Sequence, residues 1–390
     1  MSAAPCQNHV WIDNPAKMES FLAEIAGAPR LGIDTEANGF HAYRPRLCLL
    51  QLAAQTPRGL RIALVDLLAM ADRSDVLAAC LEDPERTKIL HGADNDVRLL
   101  HRDLGVALRG LYDTQVVARL LGEARTGLAA LSEKYLEIKL SKSGQRCDWS
   151  QRPLPDTARR YAAADAAVLF PLWEILDSLL RKAGRSAWAE EEFLQLESVR
   201  YPPWVAPRDE ELIARISGNK TLDLRARTVL RELARWREDE ARRRDLPPVH
   251  ILPPKTLPLL ARMRHASRQA LLDAGLSERV VQRHGSAILA AIRRGLAAAP
   301  WHPRPASRGA RKPGEASLPA GRMAALKEIR RAQASLLGLD EGTLCPSSVL
   351  RRLAQLRQAT GEDLLAAGLR RWQRDLIGEA VLALLGGKKS

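Results

Sequence analysis

The pattern of secondary-structure signals changes once along this chain, near residue 200, and this change limits the folds that the chain can adopt. Before it, short apolar runs typical of strands alternate with amphipathic segments typical of helices. After it, the strand signal disappears, and helical segments are separated by proline-rich breaks at 201–207, 246–248 and 253–254. The sequence therefore predicts an α/β domain, with a mixed sheet flanked by helices, followed by all-helical bundles.

Five strands and six helices are predicted in the first 200 residues. The predicted strands are 30–34, 46–53, 60–66, 87–91 and 109–112. The predicted helices are 15–26, 72–82, 94–104, 114–122, 127–135 and a long one at 156–183. Because three strands come in succession before strands and helices alternate, we expect the sheet to be mixed.

The helical half contains an internal repeat, in which residues 93 positions apart match without a gap. Pro253 aligns with Pro346, and the Ala-Gly-Leu at 274–276 aligns with the same three residues at 367–369. In each copy the glycine follows a helical pattern, so we expect it to end a helix in the left-handed conformation. The sequence thus predicts two copies of a small helical bundle.

Domain boundaries follow from these patterns. Residues 300–319 contain five prolines and almost no aliphatic side chains, which is typical of a flexible linker. The predicted units are an α/β domain at 1–200, a helical domain at 208–298, a linker at 299–317 and a second helical domain at 318–390.

The net charge of +14 is concentrated in the helical half. The first 200 residues carry 25 basic and 27 acidic residues, whereas the rest of the chain carries 35 and 19. A positive charge segregated in this way favours a polyanionic partner, with nucleic acid first among the candidates. The alternative is a solvated arginine-rich surface that only keeps the protein soluble.

Two further features of the sequence indicate the compartment. The five cysteines are far apart and form no C-x-x-C pair, which argues against a disulfide framework and a zinc knuckle. The first residues do not resemble a leader, and no apolar run approaches the roughly 18 residues that a membrane span needs. We therefore expect a cytoplasmic protein that is not secreted, mitochondrial or embedded in a membrane.

Three segments carry residues suited to chemistry. In LGIDTEANGF, Asp34 and Glu36 stand at i and i+2 of a predicted strand, so both carboxylates leave the same face at its end. Paired carboxylates suit Mg²⁺ or Mn²⁺, although strand ends often carry acids that only meet water. In ILHGADNDVRLLH, Asp94 and Asp96 both lie in the first turn of a predicted helix, where either one suits a helix cap.

The third segment is RRYAAADAAVLF, in which Tyr161 and Asp165 share one face of a predicted helix. The alanines around them would let this helix approach the sheet closely, so that Asp165 could reach the first two acids. Taken alone, the segment also fits an ordinary amphipathic helix with a half-buried tyrosine and a solvated aspartate.

The three segments together form the pattern of the DEDD 3′→5′ exonucleases of the tyrosine subtype. Five segments resemble ribonuclease D in order: TEANGFHAYRPRLCLLQL, ILHGADNDVRLLH, LYDTQVVARLL, LSKSGQRCDWSQRPL and RYAAADAAVL. The resemblance covers residues 10–185 and implies an RNase H-like exonuclease core. The basic half resembles the helicase-and-RNase-D C-terminal (HRDC) domain, with a clear copy at 220–297 and a more divergent one at 318–387.

This resemblance implies a function and a set of site residues. It implies a 3′→5′ exoribonuclease that acts on structured RNA such as tRNA precursors, with no obligate protein partner. It makes Asp34, Glu36, Asp96 and Asp165 the metal ligands and Tyr161 the residue that orients the attacking water, and it leaves Asp94 as a helix cap. The four carboxylates match two divalent ions, Mg²⁺ or Mn²⁺, which could activate a water molecule and neutralise the leaving oxygen. Asp113 also matches, and we interpret it mainly as the cap of the helix at 114–122.

The basic half supplies candidate RNA contacts. Along the predicted helix at 222–244, Leu230, Leu233 and Trp236 form much of an apolar stripe, and cations lie on another face. The candidate nucleic-acid-binding residues are Arg227, Arg231, Arg235, Arg242, Arg243 and Arg244. The alternative for this half is protein docking. We expect the chemistry to reside in the first 200 residues and to survive removal of the basic half.

Two other functions stay compatible with the residues themselves. A DNA 3′→5′ exonuclease would use the same carboxylates, because the choice of sugar depends on a few contacts to the 2′-hydroxyl. A catalytically inactive RNA-binding scaffold is the second alternative, and the intact acids and Tyr161 count against it.

Overall fold

The structure is a computed structural model that describes residues 9–70, 74–141, 144, 146–302 and 321–386. The predicted linker at 299–317 lies mostly outside these residues. Contacts divide the chain into two compact units, the first comprising Met1–Ala37, Leu47–Tyr201 and Glu315–Ser390, the second Asn38–Arg46 and Pro202–Gly314. The predicted domain boundaries stay predictions.

The first unit contains a sheet that is mixed, as predicted, and has six strands where five were predicted. Its strands are β1 (His9–Ile12), β2 (Arg30–Ala37), β3 (Leu47–Thr56), β4 (Gly59–Asp66), β5 (Thr87–Leu90) and β6 (Leu111–Asp113). They lie in the order β1-β4-β3-β2-β5-β6. β3 pairs antiparallel with both β2 and β4, and the other three pairs are parallel.

Eight helices accompany the sheet in the described part of residues 9–200. They are α1 (Pro15–Glu24), α2 (Ser74–Leu81), α3 (Asp94–Leu104), α4 (Thr114–Leu120), α5 (Leu128–Leu136), α6 (Asp156–Ala167), α7 (Leu169–Lys182) and α8 (Ser186–Glu197). α6 packs against β2, β3 and β4, and α7 packs against β2 and β5. The central strand β3 is apolar along most of its length because it is buried on both faces.

The structure differs from the predicted elements at three places. The edge strand β1 and the helix α8 were not predicted. The helix predicted at 156–183 is two helices, of which the first ends at Ala167. Pro171 has no N–H to donate to the carbonyl of Ala167, so a single continuous helix would lose that hydrogen bond.

The second unit is a helical bundle around one long central helix. Its helices are α9 (Asp209–Ala214), α10 (Leu224–Arg244), α11 (Pro248–Ile251), α12 (Leu257–Ala261), α13 (Arg268–Asp273) and α14 (Glu278–Ala297), with 3₁₀ turns at Asn219–Thr221 and Pro254–Thr256. α10 packs against α14, α12 and α9. Leu230 and Leu233 are fully buried, as the apolar stripe predicted, and Trp236 is partly buried.

The segment Asn38–Arg46, which follows β2 directly, belongs to this second unit. The hydroxyl of Tyr43 donates a hydrogen bond of 2.6 Å to the buried carboxylate of Glu238 on α10. The carboxylate of Asp245 accepts from the backbone N–H groups of Tyr43 and Arg44 at 3.2 and 3.4 Å. The chain that leaves β2 is therefore tied to the end of α10.

The C-terminal bundle belongs to the first unit. It consists of α15 (Arg322–Leu337), α16 (Glu341–Leu344), α17 (Ser347–Gln355), α18 (Gly361–Ala366) and α19 (Arg371–Leu385). The rings of Trp188 on α8 and Trp372 on α19 are stacked with centroids 4.9 Å apart. Arg185 donates to the carbonyls of Leu120 at 2.6 Å and Leu337 at 2.8 Å, which joins the two parts.

The repeat appears in the backbone hydrogen bonds. Gly275 and Gly368 have φ angles of +86° and +104°, each two residues after its helix ends, as the sequence predicted. The following leucine donates to the carbonyl five residues earlier in both copies, at 3.2 Å for Leu276 and 3.1 Å for Leu369. The left-handed conformation favours glycine because a Cβ atom would meet the backbone.

Two further observations concern membrane-spanning helices and disulfides. Within the described part of the chain, none of the helices has both the length and the apolar character that crossing a membrane requires. Among the same residues, no disulfide joins Cys48, Cys80, Cys147 and Cys345.

Candidate active site

The central strand β2 places two acids at its carboxyl end. Asp34 pairs with Gln51 of β3 and Glu36 with Leu49, and the register shifts directly after Glu36. Since side chains at i and i+2 leave a strand on the same face, the two carboxylates project together, as predicted.

The helix α6 brings the third acid to this edge. Its alanines Ala162, Ala163 and Ala166 are fully buried against the sheet, which lets the helix backbone approach closely. One carboxylate oxygen each of Asp34, Glu36 and Asp165 all lie within 4.8 Å of one another. The structure thus brings together three of the four predicted metal ligands.

The fourth predicted ligand, Asp96, lies next to this group but is not part of it. Its carboxylate accepts a hydrogen bond from the hydroxyl of Thr35, which stands between the two acids of β2. Burial raises the pKa of Asp96, and the nearby charge of Asp34 raises it further.

The prediction that Asp94 caps α3 is wrong. The residue before the helix is Ala93, which offers no capping side chain, and Asp94 is the first helical residue. Its exposed carboxylate forms an ion pair of 2.8 Å with Arg98, one turn further along the helix. The spacing in the sequence could not distinguish a helix-capping acid from an acid that forms an i,i+4 ion pair, because both lie near the first turn of the helix.

The cap role expected of Asp113 is confirmed, and its carboxylate does more than cap α4. It accepts from the backbone N–H groups of Gln115 at 2.7 Å and Val116 at 3.2 Å. It also accepts from Gly92 at 2.9 Å and Ala93 at 2.8 Å in the turn before α3. Asp113 therefore fixes the turn from which the helix of Asp96 starts.

Burial and mutual repulsion make these acids costly to ionise. Burial is the main cause of a raised pKa for Asp34, Glu36 and Asp165, and the charge of neighbouring acids raises the pKa of the first two further. The pKa of Asp165 rises to about 6, even though a hydrogen bond from Tyr161 lowers it. A group of crowded carboxylates is the ligand set that a hard divalent cation stabilises, so these residues fit a metal ion.

Tyr161 is held beside Asp165 by the loop before α6. A Cβ atom at Gly144 would lie 2.3 Å from Cγ of Tyr161, so only glycine fits there. The ring centroid of buried Trp149 lies 6.1 Å from that of Tyr161. Burial, followed by the charge of Asp165, raises the pKa of Tyr161, which keeps its hydroxyl protonated.

A cavity of about 480 Å³ opens beside Tyr161 and Asp165. Its wall includes Arg125, Lys139 and the start of α5, where Gly127 provides no capping side chain. Cationic side chains and free backbone N–H groups at a helix start favour phosphate oxygens. The cavity suits a nucleic-acid chain that ends at the acids.

One residue of this region was not predicted from the sequence. Gln51, which pairs with Asp34 across the sheet, is fully buried, and neither atom of its side-chain amide has a hydrogen-bond partner among the described residues. Its place in an apolar run is the signal that could have identified it, since a buried amide is rarely left unpaired.

The six arginines predicted to bind nucleic acid all lie on α10 of the second unit, and each contacts a group of that unit. Arg235 forms a bidentate pair with Asp209 at 2.6 and 2.7 Å, and Arg243 pairs with Glu240 at 2.7 Å. The others contact the carbonyl of Lys220 (Arg227), Glu232 (Arg231), Asp239 (Arg242) and Glu240 (Arg244). Their contact with nucleic acid stays a prediction.

Comparisons with known proteins show the family of this chain. Residues 9–181 match the 3′-5′ exonuclease family, and residues 226–292 match the HRDC domain. Ribonuclease D of Pseudomonas paraeruginosa is 30% identical over 96% of this chain and 97% of its own length. The chain belongs to the ribonuclease D family. Ribonuclease D of Escherichia coli is 32% identical over 73% of this chain and 74% of its own.

The solved structure of the Escherichia coli ribonuclease D, an exoribonuclease involved in structured RNA processing, has the same fold. It aligns with a TM-score of 0.65 and 25% identity over 97% of this chain and 99% of that one. This member of the ribonuclease D family is a 3′→5′ exoribonuclease that acts in RNA processing. The exonuclease family is metal-dependent, which agrees with the acidic cluster.

Proposed function

We propose that the protein shortens structured RNA, such as tRNA precursors, from the 3′ end and releases nucleoside 5′-monophosphates, with Asp34, Glu36, Asp96 and Asp165 holding two divalent ions. The observation that carries the proposal is the meeting of three carboxylates from β2 and α6 within 4.8 Å, with Tyr161 beside them. Four carboxylates balance the charge of two Mg²⁺ or Mn²⁺ ions.

In the proposed reaction, the metal ions and the protein side chains have different roles. Two divalent ions, when bound, make a water molecule more acidic and neutralise charge on the phosphate and the leaving 3′-oxygen. Tyr161 is protonated near neutral pH, so its hydroxyl orients the attacking water and does not remove its proton. Thr35 holds the carboxylate of Asp96, and Asp113 holds the turn before α3.

Binding of the RNA chain is proposed to use the cavity beside α5. Arg125 is exposed, and Lys139 has only a loose ion pair of 3.9 Å with Glu133, so both cations are available to phosphates. Such contacts hold the backbone without reading sequence, which suits an enzyme that removes successive nucleotides. The cytoplasmic location and the lack of an obligate protein partner stay predictions from the sequence.

The test is digestion of a labelled tRNA precursor that carries a 3′ extension. We expect loss of 3′ nucleotides in Mg²⁺ or Mn²⁺, nucleoside 5′-monophosphates as the product, and no reaction in EDTA. Single-stranded DNA of the same length is the second substrate, and faster digestion of DNA would contradict the RNA assignment. Release of nucleoside 3′-phosphates would contradict the proposed direction of attack.

A matched pair of variants tests the ligand assignment on α3. Asp96→Asn should abolish digestion, whereas Asp94→Asn removes the same charge two residues away, from the exposed ion pair with Arg98, and should digest RNA at the wild-type rate. Equal activity of the two variants would remove Asp96 from the proposed site.

A further inference from the structure

A second cavity lies away from the acids, between the exonuclease core and the C-terminal bundle. It has a volume of about 460 Å³ and is lined by residues of α4, α8, α16, α17 and α19. We call it the Arg119–Arg352 cleft, because Arg119 of α4 and Arg352 of α17 both line its wall. This volume lies in the range of pockets that hold small ligands or single nucleotides.

The two arginines of this cleft carry charges that no acid neutralises. Within the described part of the chain, neither guanidinium forms an ion pair with a carboxylate. Arg119 donates to the side-chain oxygen of Gln115 at 2.6 Å, and Arg352 donates to the carbonyl of Ala367 at 2.5 Å. Both acceptors are neutral, so both positive charges remain available to an anion.

The acids of the cleft, by contrast, are already satisfied. Glu192 pairs with Arg370 at 3.3 Å and accepts from the indole of Trp372 at 3.1 Å. Asp340 caps α16 by accepting from the backbone N–H groups of Gly342 at 2.7 Å and Thr343 at 3.2 Å. Since Glu192 and Arg370 neutralise each other, the cleft keeps the charges of Arg119 and Arg352 against the single carboxylate of Asp340, and its net charge is positive.

Apolar side chains form the wall between these charges, and the Arg352 side chain packs closely on the backbone. Val116, Leu120 and Val349 line the cleft. The guanidinium of Arg352 lies across Gly368, where a Cβ atom would approach Nη2 to 2.4 Å. An apolar wall beside two guanidinium groups suits a ligand that combines phosphate with a flat heterocycle, as a nucleotide does.

We propose that the Arg119–Arg352 cleft is a second RNA-binding site that grips phosphates of a long substrate away from the acids. The inference rests on the proposed function, because it takes the substrate of the acidic site as its ligand. A site joining the core to the C-terminal bundle explains how an exonuclease core without net positive charge holds a polyanion. A short oligonucleotide engaged at the acids would not need it.

The experiment compares two double variants of the full chain. Arg119→Gln with Arg352→Gln removes both charges of the cleft. Arg58→Gln with Arg351→Gln is the control, because it removes one exposed arginine each from the core and the C-terminal bundle, outside the cleft. Affinity for a tRNA-sized RNA is measured across a salt series, and turnover on a four-nucleotide RNA is measured in parallel.

The cleft variant should bind the long RNA about tenfold more weakly at low salt, and its log–log salt slope should fall by about 1.4–1.8, as expected for two lost phosphate contacts. The control should keep affinity and slope, and both should keep wild-type turnover on the short RNA. Equal losses in the two variants, or no loss in the cleft variant, would overturn the proposal. Failure of the proposed function is a separate result, since the wild-type protein would then digest neither RNA.

Two further arms keep the test decisive. If the cleft variant has a lower melting temperature, Arg119→Glu alone replaces it, because this exposed side chain forms a hydrogen bond only with Gln115 among the described residues. Repulsion between the new carboxylate and phosphates should weaken RNA binding further. Titration with 5′-AMP tests a free nucleotide as the ligand. Binding of 5′-AMP that needs both arginines, together with unchanged affinity for RNA, would assign the cleft to mononucleotides and overturn the RNA proposal.

Discussion

Replacing Asp165 by asparagine should make the metal-free protein more stable and nearly inactive at the same time. Asparagine keeps the size of the side chain and removes one charge from the crowded acids of β2 and α6. Few substitutions of a buried polar residue stabilise a protein, so the combination of the two effects is specific to a charge-crowded site.

The size of the stabilising effect follows from the environment of Asp165. Its pKa rises from 3.8 to about 6, which corresponds to about 3 kcal/mol of destabilisation by the ionised form. We therefore expect an increase of about 3 kcal/mol in the free energy of unfolding above about pH 6, or about 6–12 °C in melting temperature.

The pH dependence has a definite sign. Because the pKa in the folded state lies above the value in the unfolded state, the ionised carboxylate destabilises the wild-type fold fully above about pH 6 and not at all below about pH 4. The difference between variant and wild type should therefore be largest at pH 8 and disappear at pH 4. Thermal melts in EDTA at the two pH values measure it.

Activity should change in the opposite direction. With one ligand neutral, the rate of nucleotide release in Mg²⁺ should fall about 1,000-fold or more, which corresponds to about 4 kcal/mol of lost transition-state stabilisation. Asp156→Asn is the control, since this exposed acid in the first turn of the same helix pairs only with Arg159 at 3.6 Å. Near wild-type digestion by the Asp165 variant, or a melting temperature lowered equally at pH 4 and pH 8, would refute the reasoning.

Three further changes test the surroundings of the site. Tyr161→Phe keeps the ring beside Trp149 but loses the hydroxyl, so kcat should fall about 100-fold while the rise in melting temperature caused by Mg²⁺ persists. Asp113→Ala leaves four backbone N–H groups without their acceptor and should lower the free energy of unfolding by about 2–4 kcal/mol in urea titrations, with partial recovery in Asp113→Asn. A chain that ends at residue 205 lacks α10, whose side chains form hydrogen bonds with the segment Asn38–Arg46 directly after β2. Turnover of this shortened chain on a four-nucleotide RNA should therefore fall severalfold. Unchanged turnover would contradict this prediction and would support the expectation from sequence that the first 200 residues suffice for the chemistry.

Local patterns were enough for the sheet strands that carry the chemistry and for the helices around them. Asp34 and Glu36 share a face because side chains alternate along any strand, and Tyr161 and Asp165 share a face because they are one helical turn apart. The left-handed glycines at 275 and 368 follow from the same local reasoning. These features depend on neighbours in sequence, so the sequence by itself determines them.

Features that depend on distant partners were decided only by the tertiary structure. β1 is only four residues long, and its own composition gives a weak strand signal. It is a strand because it pairs with the neighbouring strand β4. The turn before α3 is held by Asp113, a residue about 20 positions further along the chain that no local pattern links to this turn.

Two contacts between distant parts of the sequence also had to come from the tertiary structure, and both affect the functional proposals. The stacking of Trp188 on Trp372 brings the C-terminal bundle to α8, and the bond from Tyr43 to Glu238 ties the segment after Glu36 to α10. Both join residues more than 180 positions apart in the sequence. The hydrophobic periodicity of a sequence predicts which face of a helix or strand is apolar. The element that packs on this face depends on the shape and charge of both surfaces in the folded chain.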